Sequence, residues 1–256
     1  MTDSLKLEGQ TALVTGASGG IGRVCAQMLA GQGANVIVHY NSNEAAAVET
    51  LKSLPSGHHA MLAADLRQAD QVSQLVDSTV ELTGQLNILV NNAGVHIEHP
   101  PFDVSYEEWQ DAWQKTITTN LIGPANLSWC AAQQMKQHGG GKIINISSRG
   151  AFRGEPTGPA YGASKAGLNA FGQSLAKGVG GENVFVFTVA PGFVETEMAA
   201  RTLAGPRGDF LRGESPLGRV ARPEEVANTV LFLASPGSEF LTGCIIDVNG
   251  ASYLRT

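Results

Sequence analysis

Residues 11–15, Thr-Ala-Leu-Val-Thr, run directly into Gly16-Ala17-Ser18-Gly19-Gly20-Ile21-Gly22, and apolar positions then recur with helical period through Val24, Ala26, Met28 and Leu29. A β-branched run, a glycine-rich turn and an amphipathic segment in immediate succession make a strand that feeds a tight turn opening a helix. Glycine accepts positive φ and lets another group approach the backbone, while the free N–H groups of a helix N-terminus attract an anion. A turn of this kind can be a simple packing turn. Its position between a first strand and a first helix favours a phosphate or pyrophosphate cradle.

The same alternation continues along the chain. Short apolar runs at residues 35–39, 59–63, 86–90, 142–147, 183–189 and 244–248 follow the first strand, with helical periodicity at 20–31, 44–54, 68–83, 105–138, 159–177 and 223–234. Strands separated by helices imply a parallel sheet, and their apolar runs do not alternate with polar residues, as expected when helices cover both faces. The fold class expected is α/β, a doubly wound seven-stranded parallel sheet forming a single domain over residues 1–256. Residues 193–217, with two prolines and no sustained strand pattern, are expected to form a partly helical lid over a site.

Hydrophobic residues make up 43% and charged residues 16% of the chain, against roughly 25% charged in an average domain, so a large core is available and global disorder is excluded. The net charge of −6 offers no basic surface for nucleic acid or an anionic membrane. No apolar run approaches the roughly 20 residues of a membrane span, and a cytoplasmic protein is expected. Cys25, Cys130 and Cys244 are far apart in apolar stretches, which suits buried free thiols rather than a disulfide or zinc framework.

Further motifs follow in order: Asp65-Leu66 after the third strand, Asn91-Asn92-Ala93-Gly94 after the fourth, Asn120 within a long helix, Ser148 at the end of the fifth strand, Tyr161-Gly162-Ala163-Ser164-Lys165, and Pro191-Gly192 after the sixth. Tyr161 and Lys165 are four apart in a helical segment, so they share a face. One positive charge about 4 Å from a phenol, at an effective dielectric near 20, contributes roughly 4 kcal/mol, or about 3 pKa units. An ammonium so placed would bring the phenol toward neutrality. Each residue alone has an ordinary alternative: Tyr161 a packing residue, Lys165 a solvated lysine, Ser148 a strand-end cap, Asp65 a helix N-cap.

Together, and with the Thr-Gly-x-x-x-Gly-x-Gly spacing of the first turn, these motifs resemble the short-chain dehydrogenase/reductase family over nearly the whole chain, which implies a Rossmann fold. The resemblance implies catalysis by Asn120, Ser148, Tyr161 and Lys165: Tyr161 exchanges a proton with the substrate oxygen, Ser148 holds that oxygen, Lys165 reaches the nicotinamide ribose, and Asn120 holds a water that resupplies Lys165. It implies a nicotinamide dinucleotide on Gly16, Ser18, Gly20, Ile21 and Gly22, with Asp65 and Leu66 at the adenine. Asn92, Ala93 and Gly94 would lie by the ribose, with Asn91 bracing the central strand. Pro191, Gly192, Val194 and Thr196 would lie by the carboxamide and phosphates. Homotetramer formation through the helices at 105–138 and 159–177 is implied in the same way.

An NAD site calls for a carboxylate about 20 residues beyond the glycines. Here the second strand ends His39-Tyr40-Asn41-Ser42-Asn43, so a negative residue is missing at Tyr40 and a 2′-phosphate would not be repelled. Asn41, Ser42 and Ser18 could donate to it, so NADP(H) is favoured and NAD(H) remains open. Gly19 stands where many NADP-dependent relatives carry arginine, and Arg23 is the nearest cation, or else a solvent-facing helix residue. The segments 191–198 and 247–253 resemble the β-ketoacyl carrier-protein reductase branch. Arg149, Arg153 and Glu155 make an unusually charged stretch before Tyr161, read as solvated loop charges and intersubunit pairs in preference to a polar-substrate site. His96 and His99 flank Ile97-Glu98 without a third ligand at metal spacing, so no metal is expected. Trp109, Trp113 and Trp129 are assigned to core or subunit packing. The function expected is hydride transfer between NADP(H) and a carbonyl or secondary alcohol. An NAD-dependent sugar or steroid dehydrogenase and a non-catalytic nucleotide-sensing protein are the alternatives, the latter disfavoured because all four catalytic-type side chains are present.

Overall fold

A computed structural model describes residues 5–255; residues 1–4 and 256 of the expected domain lie outside the described residues. Seven strands, β1 (Thr11–Val14), β2 (Asn35–Tyr40), β3 (Ala60–Ala63), β4 (Ile88–Asn91), β5 (Gly141–Ile146), β6 (Val184–Pro191) and β7 (Ile245–Val248), form one sheet in the order β3-β2-β1-β4-β5-β6-β7. Every pairing is parallel. The doubly wound sheet expected from the sequence is therefore the architecture found.

Side-chain alternation along the strands explains the two layers. Ala12, Val14, Val36, Val38, Ile88, Val90, Ile144 and Ile146 point to one face and meet Cys25, Leu29, Val226 and Val230, which lie on helices α1 (Gly20–Gly31) and α10 (Pro223–Ala234). Leu13, Ile37, Leu89 and Ile143 point to the other and meet Val72, Leu75, Leu127 and Ala176, from α3 (Ala69–Thr83), α5 (Gly123–Gln137) and α7 (Pro159–Val179). Each fully buried Leu, Ile or Val contributes about 2 kcal/mol relative to exposure, so both faces must be covered. The short α2 (Glu44–Lys52) begins at Asn43, whose side chain accepts the Ala46 N–H.

The chain reverses direction across the sheet between β1 and β4, which are neighbours. Ligands of such sheets bind in the crevice that opens at the strand C-termini there. Thr15 and Asn91 to Gly94, the residues that leave β1 and β4, border it.

One expected element divides. The helix expected at 105–138 is α4 (Tyr106–Ile117), then a π-helical turn at Thr118–Ile122, then α5. Pro124 can neither donate an N–H to the preceding turn nor tolerate its carbonyl, so the regular ladder has to yield just before it. Gly123 lies so close to Leu66 that a Cβ there would fall 2.6 Å from the Leu66 carbonyl oxygen. A four-residue helix α6 (Gly150–Arg153) was not anticipated, and the 193–217 segment carries α8 (Glu197–Ala204) and α9 (Gly208–Gly213). Of the three free thiols only Cys25 is fully buried; Cys130 and Cys244 are half-buried.

Candidate active site

The turn after β1 is held open by its neighbours. Gly16 has φ +62°, and a Cβ on it would come within 3.0 Å of the Ala93 backbone; a Cβ on Gly22 would fall 2.4 Å from the Gly16 carbonyl oxygen. Both positions therefore exclude any larger residue. The Thr15 hydroxyl accepts the backbone N–H groups of Asn92 and Ala93, and the Asn92 side chain donates to the carbonyls of Thr15 and Gly16. The 91–94 segment is thus sewn to the turn. Helix α1 has no side-chain cap and no acidic residue in its first turn, which leaves its N-terminal N–H groups facing the crevice for an anion. Ser18, Gly20 and Ile21 line the same turn, and Thr196 approaches it, its Cγ2 lying 3.4 Å from where a Gly20 Cβ would be. That cradle, too tight for a Cβ and lacking its own cap, fits a dinucleotide pyrophosphate.

Beside it is a cleft of about 200 Å³ lined by His39, Asn41, Ala64, Asp65, Leu66, Arg67 and Ala93, among others. Asp65 is not a helix cap, because α3 begins four residues later with Gln68 as its flanking residue. Its carboxylate instead takes a fork from Arg67, at 2.9 and 3.0 Å from Nε and 2.6 Å from Nη2. The hydrogen bonds from Arg67 outweigh desolvation and lower its pKa. At the far side Tyr40 is half-buried, and Asn41 and Ser42 are exposed. Arg23 is not solvent-facing: its guanidinium crosses the turn to the Ser18 carbonyl at 2.7 Å and the Thr50 hydroxyl at 3.0 Å.

Three of the expected catalytic residues converge where β5 meets α7, and Asn120 lies against them. The Ser148 hydroxyl lies close enough to the Tyr161 hydroxyl to lower its pKa, and its oxygen accepts the Gly150 N–H at 3.0 Å. The neighbouring Ser147 hydroxyl points elsewhere, donating to the Lys165 carbonyl. Lys165 is buried, and its ammonium lies 5.8 Å from the Tyr161 ring centroid while donating to the Ile146 carbonyl at 2.8 Å. Asn120, in the π-helical turn, accepts the Val95 N–H and donates to the Val95 carbonyl and the Ser164 hydroxyl. The Ser164 hydroxyl in turn donates to the Tyr161 carbonyl. A Cβ on Gly94 would fall 3.2 Å from Asn120 Oδ1 and 3.5 Å from Lys165 Nζ.

The electrostatics differ from the sequence expectation. Burial pushes the Tyr161 pKa up, opposed by the Ser148 hydrogen bond and reinforced by the charge of Glu155; burial also pulls the Lys165 amine down to about 8. The ammonium donates to a backbone carbonyl rather than to the phenol oxygen, and burial outweighs what would lower the phenol. The phenol is held as an acid.

The segment after β6 completes the rim. Arg149 N–H bonds to the Pro191 carbonyl and Gly192 N–H to that of Val248. Val194 is buried and bridges to Ala221, and Thr196 caps α8 by accepting the Ala199 N–H. Its expected ligand role therefore sits beside a local capping role.

Residues 16–251 match the family described as Enoyl-(Acyl carrier protein) reductase. The 3-oxoacyl-(acyl-carrier-protein) reductase FabG of Chlamydia trachomatis is 38% identical over 246 residues, covering 95% of this chain and 97% of that protein. The enzyme of the same name from Thermotoga maritima is 36% identical over 248 residues, covering 96% and 98%. The chain belongs to the short-chain dehydrogenase/reductase family. A dehydrogenase/reductase structure from Sinorhizobium meliloti superimposes on this family member with TM-score 0.88 at 30% identity, covering 99% of both chains.

Two features of this short-chain dehydrogenase/reductase escaped the sequence reading. Arg149 and Arg153 both grip Glu214 within the chain, at 2.5 and 2.7 Å, and Arg149 is buried over the Phe193 ring. Glu214 lies 61 and 65 residues further on, and nothing local in the sequence marks that pairing. His39 is the second: it is buried and hydrogen-bonded to the glycine turn, where a histidine at a strand end gives no pattern to read. His99 is buried between the Ile97 carbonyl and the Ala160 N–H, and exposed His96 meets the Tyr161 ring edge-on at 4.9 Å. Among the described residues no three His, Cys, Asp or Glu side chains gather as a metal site, and no helix is long and apolar enough to cross a membrane.

Proposed function

We propose that this protein is an NADP(H)-dependent oxidoreductase that interconverts a carbonyl and a secondary alcohol, with Tyr161 as the proton-transferring group. The observation that carries the reading is the contact of Ser148 with a half-buried Tyr161 beside the buried Lys165, next to an uncapped glycine turn. Gly16, Ser18, Gly20, Ile21, Gly22, Asn92, Ala93 and Gly94 would hold the pyrophosphate and ribose, and Asp65 with Leu66 the adenine. Pro191, Gly192, Val194 and Thr196 would orient the carboxamide. When bound, the nicotinamide supplies or takes up the hydride. As negative charge grows on the carbonyl oxygen, Ser148 donates a hydrogen bond and Tyr161 gives up its proton. Lys165, with Asn120 nearby, would pass on a replacement proton drawn from solvent through a water held by Asn120.

The preference for the phosphorylated dinucleotide is supported by the neutral Tyr40, Asn41 and Ser42 and by Arg23, which brings positive charge to the edge of the turn at Ser18. The 193–217 segment serves as a lid over the substrate within a single domain. A cytoplasmic homotetramer accords with exposed Tyr106 and Trp129 on α4 and α5. The relatives' printed names make a 3-oxoacyl thioester the first substrate to try.

The test is a screen at 340 nm of NADPH and NADH against 3-oxoacyl and enoyl thioesters, sugars, steroids and small ketones, with Tyr161→Phe as control. Turnover of a ketone faster with NADPH, falling about 10²- to 10⁴-fold in the variant while dinucleotide binding persists, is the expected outcome. Near-native turnover by Tyr161→Phe would assign the proton to another group.

A further inference from the structure

His39 is the penultimate residue of β2 and is 1% exposed. Its Nδ1 accepts the N–H of Gly16 at 3.1 Å, and its Nε2 lies 3.0 Å from the carbonyl oxygen of Ala64. One ring therefore touches both the first residue of the glycine turn and the residue before Asp65. Two backbone bonds flank it: Ala17 N–H to the His39 carbonyl, and Ala64 N–H to the Tyr40 carbonyl. The ring also lines the cleft that Asp65, Leu66 and Ala93 border.

The two contacts leave no choice of protonation. Gly16 needs an acceptor at Nδ1 and Ala64 needs a donor at Nε2, so the imidazole is neutral with its proton on Nε2. Burial favours the same state, holding the pKa down to about 4. The ring has a fixed length and no internal rotation, and Gly16 has a left-handed backbone that its neighbours do not otherwise fix at the amide.

We infer that His39 is a positioning residue for the dinucleotide: its imidazole sets the spacing between the phosphate turn at Gly16 and the adenosine cleft at Ala64 and Asp65. The inference rests on the dinucleotide reading above and assigns a role to a side chain that never touches the reacting atoms. Without the ring, Gly16 and Ala64 each lose a buried partner, and the two halves of the cofactor site are free to shift relative to one another.

The experiment measures Kd for NADPH, NADH and nicotinamide mononucleotide by fluorescence titration on wild type, His39→Leu, His39→Asn and His39→Gln. Asparagine can replace the acceptor toward Gly16, and glutamine can replace the donor toward Ala64. The expected result is a rise of about tenfold or more in both dinucleotide Kd values for His39→Leu, with the two amides recovering part of it. The mononucleotide, which lacks the adenosine half, should bind all four proteins within about twofold, a pattern that general loosening of the fold would not give. Nitrogen-15 spectra of the wild-type imidazole should show a protonated Nε2 and a bare Nδ1, which tests the geometry even if a variant fails to fold. Equal dinucleotide Kd values for wild type and His39→Leu, or a proton on Nδ1, would overturn the inference alone. A wild-type protein that binds neither NADPH nor NADH would overturn the function proposed above together with it.

Discussion

Replacing Glu214 by glutamine removes one charge from a cluster that ties the end of the 193–217 segment to the residues following Ser148. The Arg149 side chain is 4% exposed and its carboxylate partner 15%, so the guanidinium cannot recover its hydration when the countercharge goes. Breaking a buried pair from one side costs about 3 to 5 kcal/mol. Glutamine keeps one carbonyl oxygen that can still accept from Arg149, which returns about 1 kcal/mol. Arg153 is 22% exposed, so its loss adds well under 1 kcal/mol. The net expectation is about 3 kcal/mol of destabilisation.

The assay is urea unfolding at fixed protein concentration, with a lowered midpoint and an unchanged m-value. The pH dependence provides an independent check. Burial alone would raise the Glu214 pKa, but hydrogen bonds and charge from Arg149 and Arg153 outweigh it and hold the folded value below the ordinary one. A carboxylate depressed in this way contributes fully above its unfolded pKa, near 4.3, and loses that contribution as pH falls through the lower folded value. The gap between wild type and variant should therefore be constant from pH 6 to 8 and close below about pH 4. A destabilisation under about 0.5 kcal/mol at pH 7, or a gap that persists into acid, would refute the reasoning. An Arg149→Met/Glu214→Leu double variant, which removes both charges, should recover most of the loss.

Lys165→Met should abolish turnover yet raise the urea midpoint at pH 7. A lysine held down to about 8 costs about 3 kcal/mol in full below pH 8, and that cost fades as pH rises toward the unfolded value near 10.4. Subtracting the lost Ile146 hydrogen bond leaves a gain of about 2 kcal/mol, which should shrink between pH 8 and 10; a lower midpoint at pH 7 would contradict the burial argument. Gly22→Ala, whose Cβ would fall 2.4 Å from the Gly16 carbonyl oxygen, should cost about 1 to 3 kcal/mol of stability and weaken NADPH binding in titration. Arg23→Ala should raise the Kd for NADPH several-fold more than that for NADH; an equal change in both would remove Arg23 from phosphate recognition.

What the sequence revealed and what it hid divide by the range of the interaction. The β1 turn, α1 and α10 could be placed closely because glycine tolerance, helical period and a proline at the first helical position are encoded within a few residues. The division of the helix at 105–138 is marked in the sequence by Gly123-Pro124, which sits inside a single helical period. The Glu214 clamp was different in kind. Its partners lie 61 and 65 residues away, and a charge run reads the same whether it faces water, a substrate or its own fold. The Tyr161–Lys165 spacing correctly placed both side chains on one helical face, yet spacing fixes only where side chains start. Burial and the free Ile146 carbonyl decide where the ammonium ends, and both come from β5, the partner across the layer. The charge state of the site is therefore a property of tertiary packing. An oxidised nicotinamide would add a positive charge to that packing, so the Tyr161 phenol should titrate at lower pH in the oxidised-dinucleotide complex than in the free protein.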